Sequence, residues 1–247
     1  MAAATHDKPV LLVTGGAKRV GAALCRAFCE AGWRVVIHCN SSIGEAERLA
    51  NELGDAKVLQ ADLLKVGADS LIAQARDAFG SLDLLINNAS TYRRGAVLQS
   101  GDNDYLDDFA INFHAPFALM RAFARLENSG SIINILDARI SKDDTDCAGY
   151  LLAKKALAEA TRLCALDFAS LGIRVNGIAP GLVRPKDGVA MDAMAPLVAR
   201  TPLGIRTTEE EIAAAALYLS KASAVTGEII FVDAGMHLSP PHWGEKK

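Results

Sequence analysis

Three residues near the middle of the sequence, Asp137, Tyr150 and Lys154, have types and a spacing that suit proton transfer. Tyr150 and Lys154 are four residues apart, so a helix places both side chains on one face. A lysine ammonium stabilises a neighbouring phenolate, which predicts a lowered pKa for Tyr150 and proton exchange near neutral pH. Asp137 follows the apolar run SIINIL, and parallel sheets present their chemistry at strand ends. The three side chains are therefore predicted to form one catalytic site.

The elements that must position these residues are short apolar runs separated by helical patterns. There are seven runs: PVLLVT, WRVVIH, AKVLQA, LDLLINN, SIINIL, IRVNGIAP and EIIFVD. Because they are rich in Val, Ile and Leu and apolar on both faces, they indicate a parallel sheet covered on each side. Right-handed crossovers then predict a single α/β domain over residues 1–247, with a Rossmann-like doubly wound parallel sheet and helices on both faces.

Three segments are predicted to lie outside this regular pattern. Residues 1–8 and 239–247 are expected to be loose tails. Proline and glycine interrupt the periodicity of Arg184–Arg206, which predicts an irregular cover over a substrate cleft.

The amino-acid composition limits which partners the protein is expected to bind and which cellular compartment it is expected to occupy. The chain has 247 residues, 51% of them hydrophobic, and a net charge of −3, which gives no footprint for nucleic acid or an anionic membrane. Five scattered cysteines favour reduced thiols, and the histidines have no metal-ligand spacing, so no metal is expected. No signal-peptide core or membrane-length apolar run is present, so we expect a cytoplasmic protein.

A glycine-rich turn, Thr14–Gly21, joins the first apolar run to a helical pattern. Glycine there lets backbone N–H groups approach a pyrophosphate, and a helix N-terminus favours its negative charge. Arg19 stands where a third glycine is expected, so it is predicted to bind phosphate or reach substrate. The predicted cofactor contacts of this turn are Gly15, Lys18, Arg19 and Val20.

The end of the second run indicates which dinucleotide binds. An acid there would bond the ribose 2′-hydroxyl and repel a 2′-phosphate, but this chain reads His38-Cys39-Asn40-Ser41-Ser42, with no acid before Glu45. The segment therefore predicts NADPH, bound more tightly than NADH. His38, Asn40, Ser41 and Ser42 are the predicted 2′-phosphate contacts. The alternative is a plain turn and helix cap.

From about Val10 to Asp233 the sequence resembles the short-chain dehydrogenase/reductase family. The matching motifs are the glycine turn, Asp62-Leu63, Asn87-Asn88-Ala89, Asn112, Tyr150-x-x-x-Lys154 and Pro180-Gly181. The resemblance implies that Asp62 and Leu63 lie near the adenine and that Lys154 holds the nicotinamide ribose. It also implies that Asn112 supports a water-linked proton path to Lys154. Further cofactor contacts implied are Asn88, Ala89, Ser90, Tyr150, Pro180 and Gly181. Alternatively, Asn112 only bridges backbone in a helix and Asp62 only caps a helix.

Three departures from the usual family pattern resemble one branch, the pteridine reductases and related dihydromonapterin and dihydrofolate reductases. Asp137 replaces a serine thirteen residues before the tyrosine, Arg19 replaces a glycine, and Ser90 replaces a glycine. In that branch an aromatic residue after the Asn-Asn-Ala-Ser motif stacks on the pterin, and Tyr92 stands there. The resemblance implies substrate contacts by Arg19, Ser90, Tyr92, Asp137 and Tyr150, with Asn112 and Lys154 completing the catalytic set.

Chemistry supports a pterin independently. An ionised carboxylate repels the alkoxide that forms from a ketone, whereas a pterin ring presents N–H donors beside imine nitrogens. The alternatives are a protonated Asp137 in a carbonyl reductase of the 3-oxoacyl-carrier-protein type, and a non-catalytic nucleotide-binding protein.

Small residues on the helix that carries Tyr150 (Ala153, Ala156, Ala160 and Ala165) fit packing against a second copy. By resemblance this implies a homotetramer, although an internal core helix has the same pattern.

Overall fold

The computed structural model describes residues 8–126, 128–185 and 190–239. Within them, seven parallel strands form one sheet in the order β3-β2-β1-β4-β5-β6-β7. The strands are β1 (Val10–Val13), β2 (Arg34–Cys39), β3 (Ala56–Gln60), β4 (Leu84–Asn87), β5 (Gly130–Ile135), β6 (Ile173–Pro180) and β7 (Ile229–Val232). Each strand matches one of the seven apolar runs to within two residues at its ends, which confirms the predicted Rossmann-like fold.

Helices cover both faces of this sheet. They are α1 (Arg19–Glu30), α2 (Ile43–Leu53), α3 (Ala68–Phe79), α4 (Asp102–Phe109), α5 (Ala115–Ala124), α6 (Ala148–Asp167), α7 (Ala195–Val198) and α8 (Glu209–Lys221). Apolar residues of α1, α2 and α8 pack on one face, and those of α3, α5 and α6 pack on the other. No helix among the described residues is long and apolar enough to cross a membrane.

The central strand β1 is apolar at every position because both of its faces are covered. In β1, Val10 and Leu12 join the core beneath α3, α5 and α6, whereas Leu11 and Val13 join the core beneath α1, α2 and α8. All four side chains are fully buried. Burying an aliphatic side chain of this size contributes about 1.5–3 kcal/mol, so β1 anchors both layers.

Strand order sets the place of the site. β1 pairs with β2 on one side and with β4 on the other, which makes this the point where the strand order reverses. Ligands of open α/β sheets bind outside the carboxyl ends of strands at such a point. Thr14, Asn88 and Asp137 each lie just beyond the carboxyl end of β1, β4 or β5.

The segments predicted to be irregular are only partly described. Of the two tails, only Lys8 and Ser239 are described, and the Lys8 ammonium pairs with the Asp55 carboxylate. In Arg184–Arg206, a 3-10 helix at Met191–Met194 leads into α7, while residues 186–189 lie outside the described residues. Its role as a substrate cover stays a prediction.

The outward face of α6 differs from the one predicted. Three of its four small residues, Ala153, Ala160 and Ala165, are buried within the subunit, as the core-helix alternative required. Exposed leucines line the outer surface instead: Leu152, Leu163 and Leu166. These three alanines therefore pack inside the subunit and do not indicate an interface with a second copy. The homotetramer stays a prediction.

Candidate active site

Tyr150 and Asp137 meet at the carboxyl edge of the sheet, as predicted. Tyr150 lies in the first turns of α6, and Asp137 lies two residues beyond β5. The Tyr150 hydroxyl donates to Asp137 Oδ2 across 3.0 Å. Tyr150 is 6% exposed, so this bond lies largely out of water. The sequence spacing thus gives a buried phenol–carboxylate pair.

Arg139, which the sequence analysis did not assign to the site, binds the same carboxylate. Its Nε donates to Asp137 Oδ1 at 3.0 Å, and its Nη2 donates to Oδ2 at 2.8 Å. The backbone N–H of Arg139 also donates to Oδ1, at 2.9 Å, so Asp137 caps the 3-10 helix Ala138–Ser141. Every contact at both oxygens comes from a donor. That arrangement fits an ionised carboxylate rather than the protonated alternative.

The prediction that the pKa of Tyr150 is lowered is wrong, because Tyr150 lies buried against the Asp137 carboxylate. Burial and the negative charge of Asp137 raise the pKa of Tyr150 well above its usual value, against an opposing effect of Arg139. Both causes favour the neutral phenol. The Tyr150 phenol is therefore protonated at neutral pH.

Lys154 shares the helical face of Tyr150, as predicted, but its ammonium bonds elsewhere. Lys154 Nζ donates to the Ile135 carbonyl at 2.8 Å and lies 5.9 Å from the centre of the Tyr150 ring. Lys154 is 2% exposed, and burial lowers its pKa to about 8, although Asp137 acts against the shift. The end of β5 thus fixes the lysine beside the phenol.

Tyr92 forms one wall of this site. Its ring stands edge-on to the Tyr150 ring, with centroids 5.1 Å apart and an angle of 87° between the planes. The Arg139 guanidinium lies 5.1 Å from the Tyr92 ring centre and 5.5 Å from the Tyr150 ring centre. Tyr92 is 40% exposed, so part of its face is open, and the predicted stacking on a pterin stays a prediction.

The glycine turn is packed too tightly for side chains at two of its positions, Gly15 and Gly21. A Cβ on Gly21 would lie 2.2 Å from the Gly15 carbonyl oxygen, and Gly15 has a φ of +61°. Arg19 has a φ of +51°, the left-handed region that glycine adopts freely, so the arginine replaces glycine at a backbone cost. The turn leads into the N-terminus of α1, which favours an anion.

Thr14 and Asn88 tie this turn to the end of β4. The Thr14 hydroxyl oxygen accepts from the N–H groups of Asn88 and Ala89, at 2.9 and 3.0 Å. Asn88 Nδ2 donates to the carbonyls of Thr14 and Gly15, each at 3.0 Å. Thr14 is a positioning residue that the sequence analysis quoted but did not assign. Its signal was a hydroxyl residue at the end of β1.

His38 does not match its predicted contact with a 2′-phosphate. It is buried, its Nδ1 accepts from the Gly15 N–H at 3.2 Å, and its Nε2 lies 3.1 Å from the Ala61 carbonyl. Both ring nitrogens are therefore engaged with backbone in support of the turn. Ser42 stands at the N-cap of α2 but makes no side-chain cap bond. Lys18 Nζ forms an ion pair with Glu45 Oε1 at 2.9 Å, so the charge of the first acid after β2 is compensated.

Asn112 braces backbone, as the alternative interpretation required. It lies in a π-helical turn, Ala110–His114, of the kind often found at functional sites. Its Nδ2 donates to the carbonyls of Thr91 and Asp108, and its Oδ1 accepts from the Ser90 hydroxyl at 2.6 Å. Asn112 thereby orders the segment that carries Ser90. The water-linked path to Lys154 stays a prediction.

The remaining predicted cofactor contacts lie along the same edge. Asp62 caps the turn after β3 by accepting from the Leu64 N–H at 3.0 Å, and this bond lowers the pKa of its carboxyl. Leu63 follows it and packs against the core beside α3. Pro180 ends β6, and a Cβ on Gly181 would lie 2.7 Å from the Asp233 Cα. Contact of these residues with a cofactor stays a prediction.

Comparison with known proteins shows which chains this one resembles. A family described as enoyl-(acyl carrier protein) reductase matches residues 15–237. Pteridine reductase 1 of Leishmania tarentolae is 33% identical, over 94% of this chain and 97% of that protein. The 3-oxoacyl-[acyl-carrier-protein] reductase FabG of Salmonella typhimurium is 29% identical, over 95% of this chain and 99% of that protein. The crystal structure of FolM alternative dihydrofolate reductase 1 from Brucella suis in complex with NADP is 34% identical. It has a TM-score of 0.89 and covers 94% of this chain and 96% of that one.

Proposed function

Because this chain belongs to the short-chain dehydrogenase/reductase family of oxidoreductases, we propose that it reduces a dihydropterin or dihydrofolate with NADPH. One observation carries the proposal: the Asp137 carboxylate bonds the Tyr150 hydroxyl at 3.0 Å. Members of the family that reduce ketones usually carry a neutral serine at this position. The similarity to pteridine reductase 1 and to FolM supports the same substrate class.

The cofactor is NADPH, and the chain has a suitable place for it. The glycine turn leads into the N-terminus of α1, whose first backbone N–H groups suit a pyrophosphate. Asn40, Ser41 and Ser42, beyond β2, supply neutral donors where an acid would repel a 2′-phosphate. Brucella FolM, 34% identical, was solved with NADP.

Gly21→Ala tests the glycine turn. The added Cβ would collide with the Gly15 carbonyl and with Asn88 Nδ2, 2.2 and 2.8 Å away, so the turn must move. We expect NADPH affinity to fall by at least about tenfold, equivalent to about 1.4 kcal/mol. Titration by nucleotide fluorescence measures it. Gly67→Ala is the control, since a Cβ there meets nothing within 4 Å. Unchanged affinity in Gly21→Ala would remove the turn from the cofactor site.

Reduction at a C=N bond requires a hydride on carbon and a proton on nitrogen. NADPH supplies the hydride when bound. Tyr150, protonated at neutral pH, would donate its proton to the ring nitrogen, so the new N–H bond would form as the phenol O–H bond breaks, and the new C–H bond would take the hydride from the donor C–H bond as the C=N π bond opens. The Lys154 ammonium, close to the Tyr150 ring, stabilises the phenolate until solvent returns a proton.

Asp137 links substrate binding to this proton transfer. A carboxylate has about four acceptor sites, and here Arg139 and Tyr150 donate four hydrogen bonds to it. A substrate N–H reaches Oδ2 only when the Tyr150 hydroxyl turns away. The hydroxyl then points at the substrate, so binding the donor and aiming the proton are one event.

The charge on Lys154 predicts a pH dependence. Because its pKa is about 8, the ammonium is present below pH 8 and is lost as pH rises through that value. We expect pterin turnover at saturating NADPH to fall about tenfold per pH unit above roughly pH 8. Lys154→Arg, slower but permanently charged, should lose this alkaline fall. A wild-type rate that is level up to pH 10 would contradict the assignment.

A substrate panel tests the function. NADPH oxidation is followed with dihydrobiopterin, dihydromonapterin and dihydrofolate, and separately with an acetoacetyl thioester. We expect turnover of at least one pterin and little of the thioester. The second candidate is a 3-oxoacyl thioester reductase, which the 29% identity to FabG favours, and thioester turnover without pterin turnover would select it. Tight NADPH binding without any turnover would indicate a non-catalytic protein.

Assembly and compartment are part of the same proposal. We infer a homotetramer in the cytoplasm. The exposed leucines of α6 and Leu106 of α4 give the subunit an apolar outer surface that a second copy could cover. Sedimentation in dilute buffer distinguishes tetramer from monomer.

A further inference from the structure

Arg139 contacts Tyr92 and Tyr150 as well as Asp137, whereas an ion pair would need only the contact with Asp137. Nε and Nη2 hold both oxygens of Asp137, and Nη1 donates to the Tyr92 hydroxyl at 3.3 Å. The same guanidinium lies over the rings of Tyr92 and Tyr150. One side chain therefore touches the carboxylate, the phenol ring and the wall on which substrate is proposed to stack.

We propose that Arg139 is a positioning and specificity residue that fixes Asp137 against the Tyr150 phenol and sets Tyr92 at the matching distance. The inference rests on the proposed reduction of a pterin. By holding a negative carboxylate at the hydride-transfer position, Arg139 favours substrates that present N–H donors and disfavours those that develop an alkoxide.

The shape of the guanidinium explains why arginine suits this position. Its planar fork binds both carboxylate oxygens and leaves a third nitrogen for Tyr92, whereas a lysine ammonium is a single point charge. The side chains of Arg139 and Asp137 are 25% and 16% exposed, so little solvent competes for the pair. Nη1 also lies 3.4 Å from Asp144 and 3.2 Å from Cys147 Sγ, which fixes the far side of the group.

Removal of the guanidinium tests the proposal. Arg139→Ala should lower kcat for pterin by about 10²-fold, since displacement of a catalytic group by about 1 Å has that effect, and should leave NADPH binding within about threefold. Arg139→Lys should recover only part of the rate. Added guanidinium chloride should restore Arg139→Ala severalfold, and ammonium chloride at equal ionic strength should not. Arg26→Ala is the matched control, because Arg26 makes the same two-point contact with Glu52 on the exposed surface.

A double-mutant comparison separates positioning from a general structural role. If Arg139 acts through Asp137, Arg139→Ala should have little further effect on kcat in an Asp137→Asn background. An undiminished effect there, or wild-type kcat in Arg139→Ala, would overturn the proposal. If Arg139→Ala does not fold, Arg139→Gln takes its place in both comparisons. Wild-type protein is assayed first, so a wild type that does not reduce pterin refutes the proposed function and not merely the role of Arg139.

Discussion

Replacing Tyr150 with phenylalanine should lower kcat for pterin reduction by about 10²–10⁴-fold, the usual contribution of a positioned acid. The change removes only the hydroxyl, which is the group bonded to Asp137 at 3.0 Å. The ring that packs edge-on against Tyr92 remains, so the site keeps its shape. NADPH affinity should therefore stay close to the wild-type value. Stopped-flow NADPH oxidation and fluorescence titration measure the two quantities separately.

Tyr218→Phe is the matched control for this result. Tyr218 lies on α8 and is 57% exposed, so the same deletion of one oxygen should leave the rate unchanged. If Tyr150→Phe retained more than about a tenth of the wild-type rate, the phenol could not be the proton donor. Asp137 would then be the group to examine as the acid.

Asp137→Ser should lower kcat/KM for pterin by about 10²-fold or more. Serine is as good an N-cap as aspartate, so the 3-10 helix that Asp137 begins should persist while the charge is lost. Arg139 would keep its charge with only Asp144 left as an ion-pair partner among the described residues, so a partly buried charge would lose most of its compensation. The variant should therefore also unfold at a lower temperature. Scanning calorimetry and steady-state kinetics record both effects.

Two further variants distinguish lost chemistry from lost stability. Asp137→Asn keeps the size of the side chain and one oxygen acceptor, which preserves the contacts made at Oδ1 and loses those made at Oδ2, so it should fall in rate with a smaller loss of stability. Asp143→Ser changes an acid in the same segment whose side chain is 97% exposed, and it should alter neither quantity. Full pterin turnover by a folded Asp137→Ser protein would show that the carboxylate is dispensable.

The fold followed directly from the sequence because its physical cause is local. A strand covered on both faces is mostly apolar, and the seven apolar runs match the seven parallel strands. The meeting of Asp137 with Tyr150 also followed, since one marks the end of a strand and the other the start of a helix. The glycine turn that ends at Gly21 also followed, because glycines between an apolar run and a helical pattern indicated it.

Other features depended on tertiary contacts that no spacing encodes. Arg139 lies two residues after Asp137 in a 3-10 turn, which has no helical or strand periodicity to mark it. The pKa of Tyr150 is raised by burial and by the charge of Asp137. The prediction of a lowered pKa rested only on the spacing between Tyr150 and Lys154, which carries no information about burial or about the Asp137 contact. His38 was predicted to contact the cofactor because it lies at the end of the second apolar run. In the structure its Nδ1 instead accepts a hydrogen bond from the Gly15 N–H of the glycine turn.

The central claim is that hydride from NADPH and a proton from Tyr150 reach the ring of a pterin. Its most direct measurement uses NADPH carrying two deuterium atoms at C4, with the pterin product analysed by mass spectrometry and NMR. Each product molecule should gain one deuterium, bound to a ring carbon beside a newly protonated nitrogen. Tyr150→Phe should form almost none of this product. Deuterium absent from the pterin but present in a reduced acetoacetyl thioester would contradict the assignment.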